Sequence, residues 1–160
     1  MDEIANLIAV LKTEELLYND LYKLLKEEED AIIGWQVDRV VEIGKRKNIL
    51  YCKEHLLEEA RKKFIENIAT IYNKRPLKII NIIELVEDIE QKELLATLRK
   101  NLFDILEKIQ IENTKIKILY KNNIKIINEF FSDIGVKEYP TYAKNKKISA
   151  VDNFTFIKNI

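Results

Sequence analysis

Cys52, His55 and Glu59 stand at i, i+3 and i+7. On a helix that spacing lines up a thiolate, an imidazole and a carboxylate, which are zinc donors. A structural zinc site needs four ligands, and the chain holds one His and one Cys in all. The reading adopted is a small buried thiol beside a surface histidine and acid. A di-iron centre needs a pair of Glu-x-x-His motifs, which a single His cannot supply. Glu27, Glu28, Glu29 and Asp30 could form an acid pair on paper. Helical spacing turns Glu28 inward and leaves the other three as a solvated face. No glycine-rich phosphate loop and no nucleophile beside a base can be found. The chain is therefore read as non-enzymatic, with no catalytic residue, metal ligand or cofactor.

The elements that place these residues are marked by two apolar stripes. Ile4, Leu7, Leu11, Glu14, Tyr18, Leu21, Leu25, Glu28, Ile32 and Trp35 follow one another at alternating steps of three and four. Val40, Ile43, Lys47, Leu50, Glu54, Leu57, Arg61, Phe64, Ile68 and Ile71 do the same. Such a seam belongs to a coiled coil. Folding one stripe onto the other so that paired residue numbers sum to 75 sets Glu28 against Lys47, Glu14 against Arg61 and Leu25 against Leu50. Glu54 then falls opposite Leu21, without a charged partner. The complementary lapses predict an antiparallel hairpin within the chain.

Composition agrees. At 160 residues the chain suits one domain. Two prolines and three glycines leave long helices uninterrupted. Residues 1–33 carry 3 basic and 9 acidic side chains, a net of −6, whereas residues 34–75 carry 10 and 6, a net of +4. Exposed ion pairs contribute only ~0–1 kcal/mol each, so this asymmetry selects the partner helix more than it stabilises it. Residues 76–134 are near neutral at −1, and residues 135–160 carry +3. No large basic face exists, which argues against nucleic acid as a partner. No run of about 18 apolar residues exists, so no membrane span is expected. The acidic start Met1-Asp2-Glu3 lacks the features of a secretory signal, and Cys52 has no second cysteine to pair with. A cytoplasmic location is expected.

The periodicity predicts an all-α fold, an elongated antiparallel three-helix bundle with a short extra helix and a non-helical C-terminal tail. The bundle covers residues 1–134, with helices at about 2–33, 38–72, 77–86 and 92–132. Asp2 and Glu3 favour the positive end of the first helix dipole. Gly34 to Val37 form the turn, Trp35 caps the hairpin end, and Asp38 is the N-cap of the second helix. Residues 87–91 loosen the chain, and Gly135 stops the last helix. The last helix bears the stripe Leu95, Leu98, Leu102, Ile105, Ile109, Glu112, Ile116, Leu119, Asn123, Ile126 and Phe130. Leu106, Tyr120, Ile127 and Phe131 add a second line, which calls for more than one neighbour. Residues 135–160 are read as a flexible or extended partner-binding tail. Lys144, Lys146 and Lys147 lie there beside its aromatic residues.

With these residues laid out, the chain resembles the FlgN-type flagellar export chaperones. The resemblance rests on Glu28, Ala31-Ile32 and Gly34, then Val40, Ile43, Lys47, Ile49-Leu50 and Arg61. It continues through residues 76–98, a short helix, an acidic break and a Leu-Leu start, and through Asn113, Asn122 and Asn123. Tyr142-Ala143-Lys144-Asn145 resembles the family's Tyr-x-x-Gly tail, with Asn145 in place of Gly; Gln36 stands where the turn Asp is usual. The resemblance implies a cytoplasmic chaperone that binds the helical termini of hook–filament junction proteins, prevents their aggregation and delivers them to the type III export gate. A substrate helix would lay its apolar face into a groove. Ile126, Ile127, Phe130, Phe131 and Ile134 are the expected contacts if the shorter helices leave that face open; otherwise they are ordinary core. Tyr139 and Tyr142 are the next candidates, for substrate or gate. A weak homo-oligomer is compatible with this reading. The alternative is a structural coiled-coil subunit or tether acting through self-association.

Overall fold

The computed structural model describes residues 3–75 and 77–135. Four helices follow in order: α1 Glu3–Ile33, α2 Val37–Ile71, α3 Ile79–Leu85 and α4 Ile89–Asp133. The tail beyond Gly135, with Tyr139, Tyr142 and the lysine cluster, lies outside the described residues, as does Asp2.

α1 is the central helix. It packs on α2 along one side and on α4 along the other, and α3 packs on α4. Leu7, Leu11, Tyr18, Leu21 and Leu25 of α1 are fully buried, with Leu95 and Leu102 of α4 and Ile79 and Ile82 of α3 in the same cluster. Burial of a side chain of this size contributes about 1.5–3 kcal/mol. α2 buries little beyond Ile43, Arg61, Ile68 and Ala69, because α1 is the only helix among the described residues that packs extensively on it.

Polar bonds between helices give their directions. Glu14 with Arg61, Tyr18 with Glu54, and Glu28 with Lys47 descend on α2 as they ascend on α1, so α1 and α2 run antiparallel. The first and last of these are the pairs whose numbers sum to 75. Glu15 with Asn101 and Lys26 with Glu112 ascend together at a constant offset of 86, so α1 and α4 run parallel. That offset sets the first residue of α1, Glu3, level with the first residue of α4, Ile89. It also sets Ile33, the last residue of α1, level with Leu119. α4 has 45 residues against 31 in α1. Its last 14 residues therefore pass the hairpin tip by about 20 Å at 1.5 Å per residue.

The helix ends explain themselves locally. After α1 the N–H of Gln36 donates to Ala31 O and that of Trp35 to Ile32 O; after α2 the N–H of Lys74 donates to Ala69 O and that of Asn73 to Thr70 O. Both are Schellman ends, which need a left-handed residue. Trp35 (φ 53°) and Asn73 (φ 52°) fill that position, and Gly135 (φ 78°) follows α4.

Several expectations are corrected. α2 begins one residue before Asp38, and its N-cap is Gln36, whose side chain makes no cap bond. Trp35 is half exposed rather than packed over the hairpin end. The last helix starts at Ile89, not Lys92, because Asp88 caps it by accepting from the Gln91 N–H at 2.9 Å; only residues 86–88 break the chain. Cys52 is exposed, since it lies on the face of α2 turned away from α1.

Candidate partner-binding surface

Inside the hairpin the charged lapses are buried. Glu14 and Arg61 keep only 1% and 4% of their surface, with Arg61 Nε donating to Glu14 Oε1 at 3.0 Å. Burial outweighs the attraction of Arg61 and pushes the Glu14 carboxyl up to about 7. Its second oxygen, Oε2, is buried with no hydrogen-bond partner. Glu54, expected to be unpaired, accepts a hydrogen bond from Tyr18 Oη at 3.1 Å, and burial raises its carboxyl as well. Burial likewise raises the Tyr18 phenol.

Higher in the hairpin, Lys47 Nζ reaches Glu28 Oε2 at 2.5 Å, and Tyr120 Oη of α4 donates to Glu28 Oε1 at 2.9 Å. One carboxylate thus ties all three long helices together. Beside it Lys26 pairs with Glu29 and approaches Glu112 at 3.4 Å, as does Lys115. The Lys26 bond holds the Glu29 carboxyl below its usual range. Glu29 is therefore partly buried and paired, not part of a solvated face.

These groups are structural. A 360 Å³ cavity between α1 and α2 is lined by Glu27, Asp38, Arg39, Glu42, Ile43 and Arg46. Among its charges Glu27 pairs with Arg46 at 3.1 Å. Among the described residues no three His, Cys, Asp or Glu side chains come together to hold a metal ion. No helix among them is long and apolar enough to cross a membrane.

The projecting end of α4 is different in kind. Burial on α4 ends at Ile116. Ile126, Ile127, Phe130, Phe131 and Ile134 are 52, 41, 60, 36 and 56% exposed, so they are not core. The reason is the length difference: among the described residues, no helix lies alongside α4 from about residue 120 onward. Asn123 is partly buried at the start of the projection. The Phe130 and Phe131 rings meet edge to face, with centroids 5.8 Å apart. Ile124, also exposed, belongs to the same patch and was missed by sequence reasoning, although it lies one turn from both Tyr120 and Ile127. Exposed apolar side chains clustered in this way make the end of α4 a candidate partner-binding surface.

The sequence matches the FlgN protein family over residues 1–150. The chain belongs to the FlgN family. That family comprises flagellar export chaperones, and its members bind export substrates rather than transform them. No curated protein and no solved structure matches the chain. Among the described residues of this FlgN-family chain, the end of α4 is the part of a long helix that no other helix covers.

Proposed function

We propose that this chain is a cytoplasmic export chaperone for the hook–filament junction proteins. It binds their helical termini, prevents their aggregation and delivers them to the type III export gate. What supports this reading is the exposed seam on the projecting end of α4, where Ile126, Ile127, Phe130, Phe131 and Ile134 stand 36–60% exposed. An amphipathic helix laid on such a surface buries its own apolar face at the same time. That is the need of an aggregation-prone terminus before secretion. Family membership supports the export role.

The test is a pull-down with peptides of the C-terminal helices of the junction proteins. Truncation after Asn123 removes the five seam residues together with Tyr139 and Tyr142. It should abolish capture while circular dichroism stays helical; undiminished capture would place the site elsewhere. A structural tether is the second reading. The outward face of α2 favours it, since Val41, Ile49 and Leu56 are exposed there. Sedimentation separates the two. A stable higher oligomer supports the tether, and a monomer or weak dimer that tightens with peptide supports the chaperone.

A further inference from the structure

A helix seated on the projecting end of α4 would meet the hairpin tip. Ile127, Phe130 and Ile134 prolong, at steps of three and four, the line Leu102–Ile109–Ile116 that packs in the core cluster with α1. The exposed seam is thus the continuation of the α1–α4 interface beyond the point where α1 stops. Ile33 lies seven residues after Lys26 and eighteen after Glu15, both bonded to α4. It therefore falls on the α4-facing side of α1, yet it is 60% exposed. Next to it Trp35 is 53% exposed with φ at 53°. That backbone region suits glycine or asparagine and strains a bulky side chain. The corresponding end positions of the other long helices hold Asn73 and Gly135. A half-exposed aromatic held in strained backbone points to a contact made outside the chain.

We propose that Ile33 and Trp35 form the floor of the binding slot, on which the partner's helix stands end to end with α1. The occupant is an amphipathic helix of about four turns, matching the 14 projecting residues of α4. Its apolar stripe takes the place of a longer α1. This rests on the export-chaperone reading and adds residues and a pose to it.

Trp35 is the single tryptophan of the chain, so its emission reports on the floor. The probe is a synthetic peptide of a junction-protein C-terminal helix, with binding measured independently by anisotropy of a dye on the peptide. Emission should shift to the blue with the same Kd as the anisotropy change. Trp35→Gly should weaken anisotropy-detected binding about tenfold while the fold persists, because glycine suits the left-handed position. Ile33→Ser should weaken binding in the same direction without touching the turn. Peptide binding with silent Trp35 emission and unaltered affinity in both variants overturns the floor and leaves the chaperone reading intact. Absence of binding by anisotropy overturns both. A blue emission in the free chain that moves to the red on removing residues 136–160, or on dilution, makes the occupant the chain's own terminus or a second copy, and overturns the proposal.

Discussion

Glu28 accepts from Lys47 of α2 and from Tyr120 of α4, so its removal is felt on two interfaces. Truncating one member of a buried pair leaves the other charge uncompensated and costs about 3–5 kcal/mol, whereas the intact pair roughly breaks even against apolar packing. Glu28→Lys should lower stability by about that amount, and adding Lys47→Glu should recover part of it. Urea denaturation of the four proteins in the cycle measures this; purely additive effects would mean the pair is not coupled. Glu14 makes a pH prediction. Its carboxyl titrates at about 7 in the folded chain against an ordinary 4.5, so folding favours the protonated form. The corresponding stability is full below pH 4.5 and is lost as pH rises through 7. Relative to Glu14→Gln, the native chain should lose about 3 kcal/mol between those limits. Melting curves of both proteins across that range are the check, and parallel pH profiles would contradict it.

Between elements, the buried charges act on alignment. Slipping α2 by one heptad in one direction sets Glu54 against Glu14, and in the other direction sets Glu54 against Glu28. Both slips bury like charges, while the observed alignment gives Glu54 a tyrosine hydroxyl. Glu54→Leu should therefore raise the melting temperature while admitting a second alignment, visible as doubled amide resonances. Asp88 governs the start of α4, and Asp88→Ala should cost about 1 kcal/mol. The helices and the α1–α2 alignment were legible in the sequence, because a seam of period 3.5 and its charged lapses are marks written in residue order. The Asp88 cap is legible too, through Gln91 three residues on. The Tyr18–Glu54 bond was not, since a tyrosine in an apolar stripe reads as core. Nor was Cys52, whose face depended on α2 being covered on one side alone. Of the candidate surface, the apolar residues of α4 were legible. Their exposure was not, because the α1–α4 offset, seen in the bonds of Glu15 with Asn101 and Lys26 with Glu112, joins segments 86 residues apart and leaves no mark in either helix alone.

For the molecule as a whole, one end is flush and the other is stepped. α1 and α4 start level at Glu3 and Ile89, and α4 alone continues past the hairpin tip. The projecting residues bury nothing in the core cluster, so they contribute little to its stability. A chain ended after Asn123 should melt within a few degrees of the full chain yet lose peptide capture. A large drop in melting temperature would make the projection part of the core after all.

Hydrogen exchange of the full chain, with and without a junction-protein helix peptide, reads the central claim segment by segment. In the free chain, amides of residues 121–134 should exchange much faster than those of 95–116, and peptide should slow the 121–134 group selectively. Equal protection of both segments in the free chain, or peptide-induced slowing confined to α2, would contradict an open seam at the end of α4.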